Sequence, residues 1–159
     1  MRVVARRLLF IYAHPDDESF GVAGIARINA DRGAEVAIVT ATRGDAGRAG
    51  APPICSRDDL PARRESELRE ACRILGIGHV YVLDYLDTHL AEAAPDTIRG
   101  ELVDVIRRHR PHVVVTFDPN GANQHPDHVA IARFASDAIA AAADARWHPA
   151  AGAAHHVQR

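Results

Sequence analysis

Cysteine is scarce in this chain, with only Cys55 and Cys72 among 159 residues. The two cysteines form neither a thiolate metal pair nor a disulfide framework, and Cys72 falls on the apolar face of a predicted helix, where we expect it to pack in the core. A net charge of -2 indicates no strong attraction to nucleic acid or to an anionic membrane surface. No apolar run approaches the roughly 20 residues that a membrane-spanning helix needs.

Several sequence fingerprints of common enzyme classes are also missing. No G-x-G-x-x-G motif follows the first predicted strand, and there is neither a G-x-x-x-x-G-K-[ST] loop nor a G-x-S-x-G elbow. The N-terminal stretch MRVVARRLLFIYA resembles a signal peptide, but its apolar run leads into HPDD without a small-residue cleavage site. We therefore interpret this stretch as the first strand and expect a cytoplasmic protein.

The remaining pattern is that of an ordinary globular chain in which strands and helices alternate. Apolar residues make up 47% and charged residues 25% of the sequence, and the length suits a single domain over 1–159. Strands are predicted at 7–13, 35–42, 79–85 and 112–117, and helices at 20–33, 61–76, 95–110 and 125–144. This alternation predicts an α/β, Rossmann-like fold with three layers: a mostly parallel sheet, strand order 3-2-1-4, with helices on both faces.

Two polar clusters follow the first and fourth predicted strands. They are HPDDE at 14–18 and QHPDH at 124–128, and in the predicted strand order they converge on one crevice at the carboxyl ends of the strands. A spacing of three residues within each cluster puts side chains on one face of a helical turn. Two imidazoles and one carboxylate suit a divalent ion with a position left for water. A single His-Pro-Asp is as often a helix cap, but the coincidence of two clusters favours a metal site.

These residues resemble a known family. The AHPDDE motif at 13–18 and the HPDH motif at 125–128 are similar to those of the LmbE/PIG-L-type zinc-dependent deacetylases, which remove an acetyl group from N-acetylglucosamine-type amides. The loop TRGDAG at 42–47, the helix containing RESE and ACRILG, and DPNG before HPDH are weaker similarities of the same kind. The resemblance covers residues 7–140.

The resemblance implies a role for each matching residue. His14, Asp17 and His128 would bind the metal, Asp16 would be the general base, and His125 would polarise the amide carbonyl or protonate the leaving group. Zinc is the implied cofactor, and the same donors also suit iron(II).

Further residues match less closely. Asp127 would orient His125, and Glu18 would cap a helix or bond nearby backbone. A looser match implies three sugar-pocket residues: Arg64, Asp87 and Asp45. For Arg64, a solvated helix charge is an equally good interpretation. The implied partner is a small-molecule amino-sugar substrate, with neither nucleic acid nor membrane.

Two departures from the family pattern keep other functions open. Asn123 stands where some members carry a Tyr, and the chain is shorter than is usual for the family, which suggests a C-terminally incomplete domain or a pocket wall from another subunit of a homo-oligomer. One alternative is a non-haem iron oxygenase, which uses the same two-His, one-carboxylate ligand set. Another is a non-catalytic module that binds zinc and sugar.

Overall fold

Four apolar segments lie side by side as parallel strands in the computed structural model, which describes residues 6–159. They are β1 (Arg7–Tyr12), β2 (Glu35–Thr42), β3 (His79–Tyr85) and β4 (Val113–Val115). Their order in the sheet is β3-β2-β1-β4, which confirms the predicted order. In this register Leu9 of β1 lies between Ala37 of β2 and Val114 of β4. The first five residues of the predicted domain lie outside the described part.

Five helices connect and cover the strands. They are α1 (Ala23–Asp31), α2 (Leu60–Leu75), α3 (Pro95–His109), α4 (Gly121–Gln124) and α5 (Pro126–Ala143). Short 3-10 turns lie at Leu90–Glu92 and Pro149–Ala151. The helix predicted at 20–33 instead begins as a π-helical turn, Glu18–Val22, before α1. Within the described residues, no helix is both long and apolar enough to cross a membrane.

Both faces of the central strands β1 and β2 are buried, whereas the edge strands β3 and β4 are half-buried. Successive side chains of β1 point to opposite faces, so Leu8 and Phe10 pack with α1 and α2, whereas Leu9 and Ile11 pack with α3 and α5. Cys72 is fully buried on the α1–α2 side, as expected. The result is the predicted three-layer α/β arrangement.

The fourth strand is shorter than the predicted segment 112–117. It pairs with β1 only over Val113–Val115, and the chain then leaves the sheet to enter the loop that precedes α5. On the other edge of β4 lies the end of the chain, where the Val114 N–H donates to the Arg159 carbonyl at 2.9 Å. β4 is therefore short, and the loop that follows it places the second polar cluster next to the carboxyl end of β1.

Candidate active site

A cavity of about 730 Å³ opens where β1 and β4 end. Both polar clusters line it, together with parts of the segments after β2 and β3; from the two clusters come His14, Asp16, Asp17, His125 and His128. The predicted convergence is therefore present in the structure. The volume lies within the range of small-molecule sites, which is roughly 300–1,000 Å³.

His14, Asp17 and His128 point donor atoms at one another. His14 Nδ1 lies 3.2 Å from His128 Nε2, and Asp17 lies 3.5 Å from His128 Nε2 through Oδ1 and 3.9 Å from His14 Nδ1 through Oδ2. All three residues are buried. Ligands bound to a tetrahedral ion at about 2.0–2.2 Å lie roughly 3.4 Å apart, so the separations of His128 Nε2 from His14 Nδ1 and from Asp17 Oδ1, and the N/O donor set, suit a zinc-like ion.

Backbone groups bond the other carboxylate oxygen of Asp17 and the other ring nitrogen of His128. Asp17 Oδ2 accepts the N–H groups of Ala13 at 3.1 Å and His14 at 2.9 Å, which turns Oδ1 toward His128. His128 Nδ1 donates to the Gly121 carbonyl at 3.2 Å, so its Nε2 presents a lone pair. Burial, followed by the charges of nearby histidines, lowers the pKa of His128 and favours its neutral, ligating form.

His14 is held from behind by two carboxylates. Its Nε2 donates to Asp127 Oδ2 and to Asp87 Oδ1, each at 3.1 Å, which leaves Nδ1 for the metal position. Burial opposes protonation of His14, but the hydrogen bonds to Asp87 and Asp127 outweigh it and raise the pKa of the imidazole. Carboxylates behind a ligating imidazole fix its orientation and increase its basicity.

Asp127 does not contact its expected partner through its carboxylate. That carboxylate is fully buried and, besides contacting His14, accepts the N–H groups of Thr88 at 2.7 Å and Leu90 at 3.1 Å. The first turn of α5 directs it inward, toward the segment between β3 and α3. The contact with His125 is made by the Asp127 backbone, whose N–H donates to His125 Nδ1 at 3.2 Å. Asp127 therefore contacts His125 through its backbone N–H and His14 through its carboxylate.

His125 stands beside the donor triangle. Its ring centroid lies 4.8 Å from that of His14 and 5.0 Å from that of His128. Because Nδ1 accepts the Asp127 N–H, the proton of the neutral ring resides on Nε2. His125 is therefore equipped to donate a hydrogen bond to an oxygen atom in the cavity. It also forms, with His14 and His128, a cluster of nitrogens within 4.8 Å of one another.

Asp16 is held by contacts on either side. Its backbone has φ 118°, a region that non-glycine residues rarely occupy, and its N–H donates to Glu18 Oε2 at 2.9 Å. Its Oδ2 accepts from Arg64 Nη2 at 2.8 Å, and half of the side chain is exposed to the cavity. Burial raises the pKa of Asp16, and the charge of Arg64 acts in the opposite direction. Glu18 bonds nearby backbone, as expected.

Arg64 reaches the cavity from α2 and is not a solvated helix charge. Its guanidinium donates to the carbonyls of Gly44, at 3.1 Å, and Pro15, as well as to Asp16. A Cβ on Gly44 would lie 2.0 Å from Arg64 Nη1, and one on Gly47 would lie 2.7 Å from it. The glycines of the TRGDAG loop thus make room for the guanidinium.

Asp87 and Asp45, both expected in a sugar pocket, are engaged with protein groups. Asp87 lines the cavity but is 6% exposed; its Oδ1 accepts from His14, and its Oδ2 accepts from the Ala46 N–H at 3.1 Å. Burial would raise the pKa of Asp87, but the His14 hydrogen bond and charge lower it. Asp45 Oδ1 accepts the Asp87 N–H at 3.2 Å, and Asp45 is not among the residues that line the cavity.

Sequence reasoning missed two contributors. Phe117 stacks on His128, with ring centroids 3.9 Å apart and planes 10° apart, and the Gly121 carbonyl fixes the His128 tautomer. Neither residue has a sequence spacing that links it to His128. The DPNG turn, which contains Gly121, was the available signal.

Comparison with known proteins gives consistent matches. The family described as "PIG-L: GlcNAc-PI de-N-acetylase" matches residues 9–139. A 1D-myo-inositol 2-acetamido-2-deoxy-alpha-D-glucopyranoside deacetylase of Kineococcus radiotolerans is 34% identical over 93% of this chain and 48% of its own length. A probable N-acetyl-alpha-D-glucosaminyl L-malate deacetylase 2 of Bacillus anthracis is 37% identical over 85% of this chain and 60% of its own.

A solved structure shares the fold. The N,N'-diacetylchitobiose deacetylase of Pyrococcus horikoshii superposes with a TM-score of 0.82 at 30% identity, covering 92% of this chain and 54% of that protein. The chain spans about half to three-fifths of the length of the curated relatives it matches. With the family match extending over most of its length, the chain belongs to the PIG-L family of GlcNAc-PI de-N-acetylase-like proteins.

Proposed function

We propose that this chain is a metal-dependent hydrolase that removes the acetyl group from an N-acetylated, GlcNAc-type amino-sugar conjugate. The observation that carries the proposal is the triangle of His14, Asp17 and His128 donors in a cavity that also holds Asp16 and His125. The relatives are deacetylases of glucosamine-containing compounds, which supports the same class of substrate.

His14 Nδ1, Asp17 Oδ1 and His128 Nε2 are the atoms that would hold the ion. Zinc fits this set, and iron(II) would be accepted by the same donors. When bound, such an ion polarises a carbonyl and lowers the pKa of water toward neutrality, which supplies a nucleophile at pH 7. The chain's other residues then have to move protons and hold the substrate.

Asp16 is the proposed general base. Its carboxylate faces the cavity, and Glu18 and Arg64 hold its backbone and side chain in place. Arg64 keeps the carboxylate oriented, and burial raises the pKa of Asp16, which is the direction that favours a proton acceptor.

His125 is the proposed partner of the amide. With its proton on Nε2, the ring can donate to the carbonyl oxygen as negative charge develops there. The water oxygen forms the new bond to the acetyl carbon, and the proton that Asp16 has taken from the water passes to the sugar nitrogen as the C–N bond breaks, so that the nitrogen leaves as a neutral amine. The products are acetate and a free amine.

The proposal is tested by acetate release with a matched base variant. The zinc-loaded chain and D16N are assayed on a panel of N-acetylglucosamine conjugates, with acetate and primary amine measured together. We expect equal amounts of both products from the wild type, and a kcat at least about a hundredfold lower in D16N with unchanged zinc stoichiometry.

Two results would contradict the proposal. One is a wild-type chain that binds zinc but releases no acetate from any conjugate, as a non-catalytic module would. The other is a D16N variant that turns over at nearly the wild-type rate. Oxygen consumption by the iron(II)-loaded chain with an oxoacid would favour the oxygenase alternative instead.

A further inference from the structure

Phe20 differs from the other exposed apolar side chains of the molecule. It is 89% exposed and lines the cavity. The other large exposed apolar residues of the described chain lie outside the cavity lining: Ile25, Ile28, Ile54, Ile74 and Leu86. Single exposed apolar residues are normal on protein surfaces, so exposure alone carries no meaning. The location of this aromatic ring at the edge of a charged cavity is what makes it a candidate for ligand binding.

The backbone fixes where this ring stands. Phe20 lies within the π-helical turn Glu18–Val22, and its N–H donates to the Asp16 carbonyl at 3.1 Å. The same turn is fastened by Glu18, which accepts the Asp16 N–H. Single π-helical turns occur frequently at functional sites because they redirect side chains. Phe20 is thus positioned by the turn that also positions the proposed base.

The cavity lining has a polar part and an apolar part, so it suits a ligand with both polar and apolar surfaces. The lining includes charged and hydrogen-bonding groups, among them Asp16, Arg64 and His125, and Phe20 adds an exposed apolar ring to it. An aromatic face is electron-rich and attracts groups with partial positive charge such as C–H. A pyranose ring has hydroxyl groups around its edge and C–H groups on its faces, so it can satisfy both parts at once. An acyclic acetamide has no such face.

We propose that Phe20 is the platform on which the sugar ring of the substrate lies, and that this contact selects cyclic amino sugars over acyclic amides. The inference rests on the proposed function and narrows its substrate class. Because the ring is almost fully exposed, its removal takes little packing from the folded protein. Its effect is therefore on substrate binding and not on folding.

Kinetics with two substrates test the proposal. Zinc-loaded wild type, F20A and F20Y are assayed on methyl N-acetylglucosaminide and on the acyclic amide N-acetylethanolamine, with I74A, another exposed apolar residue outside the cavity, as the control. We expect F20A to raise KM for the cyclic substrate about tenfold with kcat within twofold, as loss of one aromatic contact implies. I74A should match the wild type, F20Y should retain part of the affinity for the cyclic substrate that F20A loses, and the ratio of kcat/KM for the cyclic substrate over that for the acyclic amide should fall about tenfold in F20A.

An unchanged KM for the cyclic substrate in F20A would overturn the platform, and so would an equal loss for both substrates.

A binding measurement separates this outcome from failure of the proposed function. The F20W variant carries a tryptophan at the platform in addition to Trp147, which lies against Arg99. Its fluorescence is titrated with methyl glucosaminide, a ligand that has no acetyl group to lose. A saturable change of fluorescence in F20W, absent in the wild type, supports the platform even if no acetate is released; a flat titration of F20W refutes it.

Discussion

At the scale of single residues, Asp127 shows how one buried carboxylate can support a metal site. It contacts His14 and ties down the segment that follows β3 through the N–H groups of Thr88 and Leu90. The D127N substitution keeps the shape but removes the negative charge behind His14. We expect zinc affinity to fall about 10- to 100-fold, as is typical when a partner of a ligating histidine is lost.

The zinc affinity of D127N is measured by competition with a chromophoric chelator, and thermal unfolding confirms that the variant folds. H125Q is the matched control, because its side chain lies beside the donor triangle but its proposed role is proton donation; it should lose kcat and keep zinc affinity. If Asp127 acted through His125, D127N would behave like H125Q. That result would contradict the contact with His14.

The candidate catalytic and metal-binding residues were predictable because their residue types and spacing are characteristic. His14, Asp16, Asp17, His125 and His128 lie in two short motifs, and the structure brings them to one cavity. The supporting contacts were less predictable, because a buried carboxylate can satisfy many donors. Only the fold decides that Asp127 and Asp87 point at His14.

At the scale of elements, the loop after β2 is shaped to receive a side chain from α2. Gly44 has φ +66°, and a Cβ there would collide with the Arg64 guanidinium that holds Asp16. In G44A we therefore expect displacement of Arg64 and a fall in kcat of about tenfold or more, because misplacement of a positioning group slows proton transfer.

Gly33 provides the control for backbone strain. It also has positive φ, +79°, but a Cβ there would meet nothing within 4 Å. G33A should lose about 1 kcal/mol of unfolding free energy in urea and keep its kcat. If G44A and G33A lose stability equally and both keep full activity, the contact of Arg64 with this loop has no role in catalysis.

Element types and their order followed from periodicity, whereas three local departures did not: the π-helical turn at 18–22, the short helix α4 where no helix is predicted, and the early end of β4. The apolar runs and the proline and glycine positions predicted the strands and helices within a few residues of their observed ends. The π-helical turn at 18–22 was not predictable from the apolar spacing, which does not distinguish a π-helical turn from an α-helical one; Glu18 and Phe20 within it bond to Asp16. The early end of β4 depends on the site loop and not on the apolar sequence VVVTF.

At the scale of the whole molecule, a buried arginine joins α3 to the segment that follows α5. Arg107 is 4% exposed, and its guanidinium donates to the carbonyls of Ala142 at 3.1 Å, Asp144 at 2.8 Å, Trp147 at 2.9 Å and His148 at 2.8 Å. These acceptors include the last carbonyls of α5, where a positive charge is favourable. R107M would remove these hydrogen bonds, although the carbonyls of Ala142, Asp144 and His148 would each keep one backbone N–H donor.

We expect R107M to lower the unfolding free energy in urea by about 3 kcal/mol, since several charge-assisted hydrogen bonds are lost at once. The neighbouring R108M removes an exposed arginine of the same helix and should change it by less than about 0.5 kcal/mol. Equal stability of the two variants would mean that the Arg107 contacts contribute nothing to the fold.

The central claim is that two distant segments hold one ion between His14 Nδ1, Asp17 Oδ1 and His128 Nε2. Crystals of the zinc-loaded chain, measured at the zinc absorption edge, test it directly. We predict one anomalous peak about 2.0–2.2 Å from each of these three atoms. Besides the cluster of His14, His125 and His128, which shares two residues with this triad, the described residues contain a candidate cluster behind His14, formed with Asp87 and Asp127. A peak in that cluster, or no peak near His128, would contradict the account.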